Sequence, residues 1–322
     1  MDNPIIKLNR LTKYYGSFKA VGGLDLEINK GEIFGLLGPN GAGKTTTILM
    51  MMGLTEPSSG SAEVCGFDAT TNPIAVKRQV GYMPDSVGFY DNMTALENLM
   101  YMGSLNGIPH GEVRNRALAT METVGLTGDT VHKKTAAYSR GMKQRLGLAE
   151  VLIKEPQVVV LDEPTLGIDP SGVKEFLSLI SSLSKERGLT VLLSSHHLHQ
   201  VQQVCDRVGI FVKGELLGQG SIHALSRKLF AQNAPTVKIK LADRLEIPWK
   251  DQDEMLGLAH VEEVSVRGDL LEIASSADVT PEIVRFLVHK GYGITGVQNR
   301  EYGLEDIYQT YFDNQKIEYN LP

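Results

Sequence analysis

The chain has 322 residues, 42% of them hydrophobic and 22% charged, with 32 Lys and Arg against 38 Asp and Glu. Such a length predicts about two domains, and such a composition fills real cores, which excludes a disordered chain and a miniature disulfide scaffold. The net charge of −6 is uneven, because residues 1–226 carry 21 basic and 22 acidic side chains while 227–322 carry 11 and 16; neither part has the basic footprint of a duplex DNA binder, and no nucleic-acid partner is expected.

The N-terminus, Met1-Asp2-Asn3-Pro4-Ile5-Ile6-Lys7, lacks the charged-then-apolar order of a secretory signal, and no run reaches the ~18 to 20 apolar residues needed to cross a bilayer. A cytoplasmic polypeptide is expected, attached to a membrane only through a partner. Cys65 and Cys205 are the two cysteines. Far apart and without CxxC spacing, they predict free thiols in a reducing compartment.

Short apolar alternations at 5–8 and 24–28 predict strands. The run Glu32-Ile33-Phe34-Gly35-Leu36-Leu37 is nearly continuous, ends at Gly38 and predicts a buried strand, followed by a helix from Thr45 to Leu54 with Gly53 near its stop. Met50, Met51 and Met52 in that helix read as core packing. Over roughly 91–152 apolar residues recur at helical spacing, Leu96, Leu99, Met100 and Met102, then Leu118, Met121 and Val124: a helical insertion. Buried-strand runs return at Val158 to Leu161 and Thr190 to Leu193, and after Asp206 to Val212 and a Lys213-Gly214 turn the pattern runs down by Ser226. Strands alternating with helices predict an α/β domain with a largely parallel sheet over 1–226. Beyond it, strands at 237–241, 261–266 and 270–273 and a helix over 281–290 predict a small accessory α+β domain at 227–322.

Gly38-Pro39-Asn40-Gly41-Ala42-Gly43-Lys44-Thr45 fits G-x-x-x-x-G-K-[ST] and lies between a predicted strand and a predicted helix, where a phosphate-binding loop must lie. Glycines let the backbone wrap phosphate oxygens, and N–H groups at the helix start point at them. Lys44 supplies a point charge for the β- and γ-phosphates and Thr45 a hydroxyl for Mg²⁺. Asp162-Glu163 follows the second buried run. Alone the pair would read as a helix cap; beside a phosphate loop, Asp162 reads as the carboxylate that holds Mg²⁺ and Glu163 as the base for the attacking water.

With these motifs in place the chain resembles the ABC-family ATPases, the nucleotide-binding subunits of ABC transporters, over about 1–226. The resemblance implies a P-loop NTPase fold, ATP and Mg²⁺ as ligands, and Thr46 within the nucleotide-binding set. Tyr15 matches the aromatic that stacks on adenine, with Tyr14 as its competitor. Tyr138-Ser139-Arg140-Gly141-Met142 resembles the signature Leu-Ser-Gly-Gly-Gln; it keeps Ser139 and Gly141, the two that meet a γ-phosphate, and departs at Tyr138, Arg140 and Met142. Thr165 to Asp169 resembles the D-loop, and Ser194-Ser195-His196 carries the switch histidine. With that role for His196, the cluster His196, His197 and His199 is not expected to bind metal. Asp85 stands where the family has a Gln that touches Mg²⁺ and links the site to the helical insertion; its carboxylate is a suitable oxygen ligand, direct or through water, and the alternative is that it tunes that coupling. In the family the signature completes the ATP site of the opposite subunit, so a homodimer, or a pair with a second such ATPase, is expected, driving a separate integral-membrane permease at the inner face of the cell membrane, in the exporter direction. The tail Tyr302-Gly303-Leu304-Glu305-Asp306-Ile307-Tyr308 resembles the ends of exporter subunits with an extra dimerisation or regulatory module. An importer subunit shares the same motifs. Ribosome- and DNA-acting relatives differ, with two cassettes in one chain or a cassette split by a coiled coil.

Overall fold

The computed structural model describes residues 4–230, 236–242, 247–299 and 303–319. Met1 to Asn3 of the N-terminal reading and Tyr302 of the tail motif lie outside the described residues. The chain divides into two compact units, one running to Ile222 and taking in the end of the chain from Tyr311, the other His223–Thr310.

In the first unit β1 (Ile6–Tyr15) and β2 (Phe18–Ile28) form an antiparallel hairpin, both much longer than the alternations at 5–8 and 24–28 predicted. Register shifts after Leu8 and Leu11 break the two-residue period of β1, so the sequence shows only its first half. Next come β3 (Ile33–Leu37) and α1 (Lys44–Met51). Then β4 (Ser59–Val64) and β5 (Phe67–Asp68) return to the hairpin to give a sheet of order β2-β1-β4-β5. After α2 (Pro73–Gln79) and β6 (Val80–Met83) the chain enters the predicted insertion, made of α3 (Ala95–Leu105), α4 (His110–Thr123) and α5 (Arg140–Leu152), with two short 3₁₀ turns between α4 and α5. The start of α3 is fixed by a capping box in which the Thr94 hydroxyl accepts from the Glu97 N–H and the Glu97 carboxylate accepts from the Thr94 N–H.

The chain then supplies β7 (Val158–Asp162), α6 (Pro170–Arg187), β8 (Thr190–Ser195), α7 (Leu198–Gln202), β9 (Arg207–Val212) and β10 (Glu215–Gly220). The central sheet runs β10-β9-β3-β8-β7-β6, parallel except for the edge pair β9 and β10. Every residue of β3, β7 and β8 is buried, which is why these strands read as unbroken apolar runs. Phe34, Leu36, Val160 and Leu192 meet in one core with Ile48, Met50, Met51 and Met52 of the helix and its end. Emptying one of these positions, as in Leu36→Ala, costs roughly 2–5 kcal/mol. The consequence for function is placement: the carboxyl ends of β3, β8 and β7 lie side by side, with Leu37 opposite Ser195 and Asp162 opposite Ser194.

Helix α8 (Ile222–Phe230) crosses the division between the units, so the break falls a little before the Ser226 boundary that the fading pattern suggested. The second unit contains β11 (Thr236–Leu241), α9 (Trp249–Leu256), β12 (Val261–Arg267), β13 (Leu270–Ser275), α10 (Thr280–His289) and β14 (Ile294–Asn299), paired antiparallel in the order β12-β13-β11-β14. This is a βαββαβ arrangement rather than three strands and one helix. Helix α9, which buries only Met255, and strand β14, which follows Gly293 and contains Gly296, give little periodic signal. Val237, Ile239, Leu271, Ile273, Ile283 and Leu287 form its core. The chain ends in α11 (Leu304–Tyr319). Among the described residues no helix is long and apolar enough to cross a membrane.

Candidate functional site

The loop after β3 can fold only with glycine at two of its positions. A Cβ on Gly38 would stand 2.1 Å from the Phe211 carbonyl oxygen; on Gly43, where φ is +105°, it would stand 2.4 Å from the Ala20 carbonyl oxygen. This backbone delivers Lys44 to the first turn of α1, where helix geometry leaves N–H groups without internal partners. Lys44 is 6% exposed, and its side chain folds over the loop, Nζ donating to the carbonyls of Gly38 at 2.7 Å and Pro39 at 3.2 Å. Burial pulls its pKa down, while the carboxylates of Glu163 and Asp162 pull it back up.

The end of β7 provides those carboxylates. The Thr45 hydroxyl donates to Asp162 Oδ2 at 2.9 Å, and Asp162 Oδ1 is buried with no hydrogen-bond partner. Loss of solvent raises the Asp162 pKa, the Thr45 hydroxyl bonded to Oδ2 lowers it, and the charges of Glu163 and Asp85 raise it further; Ser194 Oγ, like Asp162 Oδ1, makes no hydrogen bond. Glu163 takes a left-handed backbone conformation, φ +49°, pinned by its N–H to the Ser194 carbonyl at 3.0 Å. Its Oε1 lies 2.9 Å from His196 Nδ1 and 3.6 Å from Lys44 Nζ, whereas Oε2 is buried without a partner.

Around this cluster opens a cleft of about 340 Å³ whose wall combines Tyr15, Phe18 and Ala20, the loop and helix start from Asn40 to Thr46, and the carboxylates of Asp85, Asp162 and Glu163. Gly38 and Pro39 do not line it, and their carbonyls accept from Lys44. Tyr15 lines the cleft and Tyr14 does not, although both are half exposed. Phe18, 63% exposed, escaped the sequence reading. It pairs with Tyr15 across the two-residue turn between β1 and β2, and two aromatics flanking so short a turn were the available signal.

The remaining motif residues stand outside this cleft. Ser139 caps α5, accepting from the Met142 N–H at 3.3 Å, and Gly141 follows in the first turn. Tyr138, the first residue of the signature segment, is buried and donates its hydroxyl to the Thr130 carbonyl at 2.6 Å. Asp169 caps α6, accepting from the Gly172 N–H at 3.2 Å and from the Ser171 hydroxyl, and these bonds hold its pKa down. His196 reaches the cluster only through Glu163; its ring lies 4.0 Å from that of His197, while His199 faces Gln203. Among the described residues no three His, Cys, Asp or Glu side chains are grouped to hold a metal ion by themselves. Cys65 and Cys205 are free thiols, and burial raises both pKa values, that of Cys65 to about 11.

Residues 21–166 match the family model described as ABC transporter. The chain is 37% identical to the bacitracin transport ATP-binding protein of Bacillus licheniformis over 94% of its own length and 96% of the relative's. It is 34% identical to the linearmycin resistance ATP-binding protein of Bacillus subtilis over 88% and 89%. Among solved structures, cbiO1 of Clostridium perfringens, part of the ABC transporter complex cbiONQ, superposes with a TM-score of 0.64 at 28% identity, covering 72% of this chain and 92% of that one.

Proposed function

Because the chain belongs to the ABC transporter family, as an ATP-binding ATPase subunit of a multi-component transporter, we propose that it works as a Mg²⁺-dependent homodimer powering a separate membrane permease that exports an antibiotic. The observation that carries the catalytic part is the pair of buried, unpartnered carboxylate oxygens, Asp162 Oδ1 and Glu163 Oε2, at a cleft that also holds Lys44 and Thr45.

In this reading Tyr15 and Phe18 stack on the base, and the loop N–H groups from Asn40 to Thr46 take the phosphate oxygens. Lys44 exchanges its two carbonyl partners for the β- and γ-phosphates of ATP, a stronger, charge-assisted set. The oxygens of Thr45, Asp162 and Asp85 suit magnesium, a hard cation that keeps several waters and needs few protein ligands, and the orphaned Asp162 Oδ1 is the atom such an ion would satisfy. When bound, Mg²⁺ neutralises charge developing on the transferred phosphoryl group. Glu163 Oε2 takes a proton from the attacking water while His196 and Lys44 hold Oε1 in place, and ATP and water give ADP and phosphate. Ser139, Gly141 and Asp169, outside the cleft of their own chain, serve the nucleotide of a second copy. The βαββαβ unit would then be a dimerisation or regulatory module.

Export is supported by the relatives named for bacitracin transport and linearmycin resistance. Co-expression with a membrane permease that co-purifies with the chain tests it. Membranes should retain both chains and cells should gain resistance to bacitracin or linearmycin, lost with Lys44→Ala; resistance untouched by that change, or greater sensitivity with the intact pair, refutes export.

A further inference from the structure

Arg140 departs from the signature pattern, and its side chain makes a specific contact. Although exposed, it donates from Nε to the Leu166 carbonyl at 3.0 Å. Leu166 belongs to the loop between β7 and α6. The next residue, Gly167, has φ +75°, and a Cβ there would come within 3.2 Å of Arg140 Nε and 3.6 Å of Cζ, so the guanidinium lies against a position whose backbone favours glycine. Ile168 closes the contact: its Cγ2 stands 3.7 Å from where a Gly141 Cβ would be and 2.7 Å from that of Gly172. Two helices begin here, α5 capped by Ser139 and α6 capped by Asp169. Further along, Arg145 Nη2 reaches Glu175 Oε2 at 2.8 Å and ties the same helices again.

We propose that Arg140 is a positioning residue that joins the Ser139 to Gly141 turn to the 165–169 loop of its own subunit, so that both meet the partner's nucleotide as one rigid surface. This rests on the sandwich reading above. A turn carrying glycine at 140 has no side chain with which to reach the Leu166 carbonyl. Arg140 makes that link, and removing it leaves two capped helix starts free to adjust separately, at an entropic cost to each closure.

Three substitutions separate position from charge. Gln carries its amide nitrogen at the fourth side-chain atom, where Arg carries Nε; Met fills space without a donor; Lys keeps the charge. In a Glu163→Gln background, Arg140→Met should raise the ATP concentration for half-maximal dimerisation about tenfold. In the otherwise unaltered chain it should raise KM for ATP while kcat at saturation stays within about twofold and ADP binding to the monomer is unchanged. Arg140→Gln should stay close to the parent, and Gly167→Ala, whose methyl would press on Nε, should reproduce the Met defect. Amide exchange over 165–169 in nucleotide-free protein should accelerate in Arg140→Met and not in Arg140→Gln. A Gln variant as impaired as Met with Lys restored places the role in charge and overturns the proposal; so does a Met variant that dimerises like the parent. If Glu163→Gln itself stays monomeric with ATP, the sandwich reading falls, and the exchange experiment separately decides whether the tie exists.

Discussion

Replacing Glu163 with Gln removes one charge and one proton acceptor while keeping the volume. The carboxylate lies 3.6 Å from Lys44 Nζ, and unit charges at that separation attract by about 5 kcal/mol at an effective dielectric near 20. In Glu163→Gln this attraction is gone, so Lys44 is freer to meet phosphate, and ATP affinity should be equal or higher. Turnover behaves oppositely. Without an atom at Oε2 to accept the water proton, the general-base contribution of roughly 10²- to 10⁴-fold is lost, while the amide oxygen still accepts from His196. The variant should therefore bind ATP, form a dimer seen by light scattering with ATP but not with ADP, and release phosphate at least about a hundredfold more slowly than the parent. A variant that hydrolyses ATP at the parental rate and stays monomeric refutes both the base assignment and the sandwich. Loss of ATP binding would show instead that the Glu163 to Lys44 pair holds the loop in shape.

Thr45→Val and Asp162→Asn should each leave metal-free nucleotide binding in place and abolish the Mg²⁺-dependent gain in affinity, measured by titration with and without chelator. Tyr15→Ala and Phe18→Ala should each weaken ATP binding by about tenfold, the scale of one base-stacking contact, with Tyr15→Phe nearly unchanged. Gly43→Ala forces a side chain onto the Ala20 carbonyl at φ +105° and should cost about 2–5 kcal/mol in urea unfolding and abolish nucleotide binding. In the second unit, hydrogen bonds from Lys290 at 2.8 Å and from the Tyr292 hydroxyl at 2.6 Å hold the Asp251 carboxyl below the usual carboxylate range. A depressed carboxylate stabilises above its unfolded pKa of about 3.9, and that stability is lost as pH falls through the folded value. Asp251→Asn should unfold more easily at neutral pH, with the difference closing in acid. Trp249, the chain's one tryptophan and 76% exposed on α9, reports this by fluorescence.

The strands that position the site were legible because they are buried on both faces, and the loop at 38–45 because glycine, lysine and threonine leave few alternatives. Phe18 was harder to find for the opposite reason: an exposed aromatic carries no periodic signal, and only its place across a two-residue turn from Tyr15 marks it. The bulged end of β1, the edge strand β10 and helix α9 were missed likewise, since partial burial blurs the alternation that marks an element. Spacing alone also does not say that Ser139 and Asp169 stand away from the cleft that their own chain lines. That separation arises in the fold, where each caps a helix and Arg140 binds the two starts together.

The backbone of Glu163 has a consequence for anyone engineering this chain. A glutamate at φ +49° is held against its own preference by about 1–2 kcal/mol, a penalty glycine does not feel and asparagine feels less. Relief of that strain favours Glu163→Gly and Glu163→Asn in a library screened only for heat resistance, and the contacts to Lys44 and His196 favour the parent. Either replacement removes the base, so any search for stability here must be coupled to a selection for phosphate release.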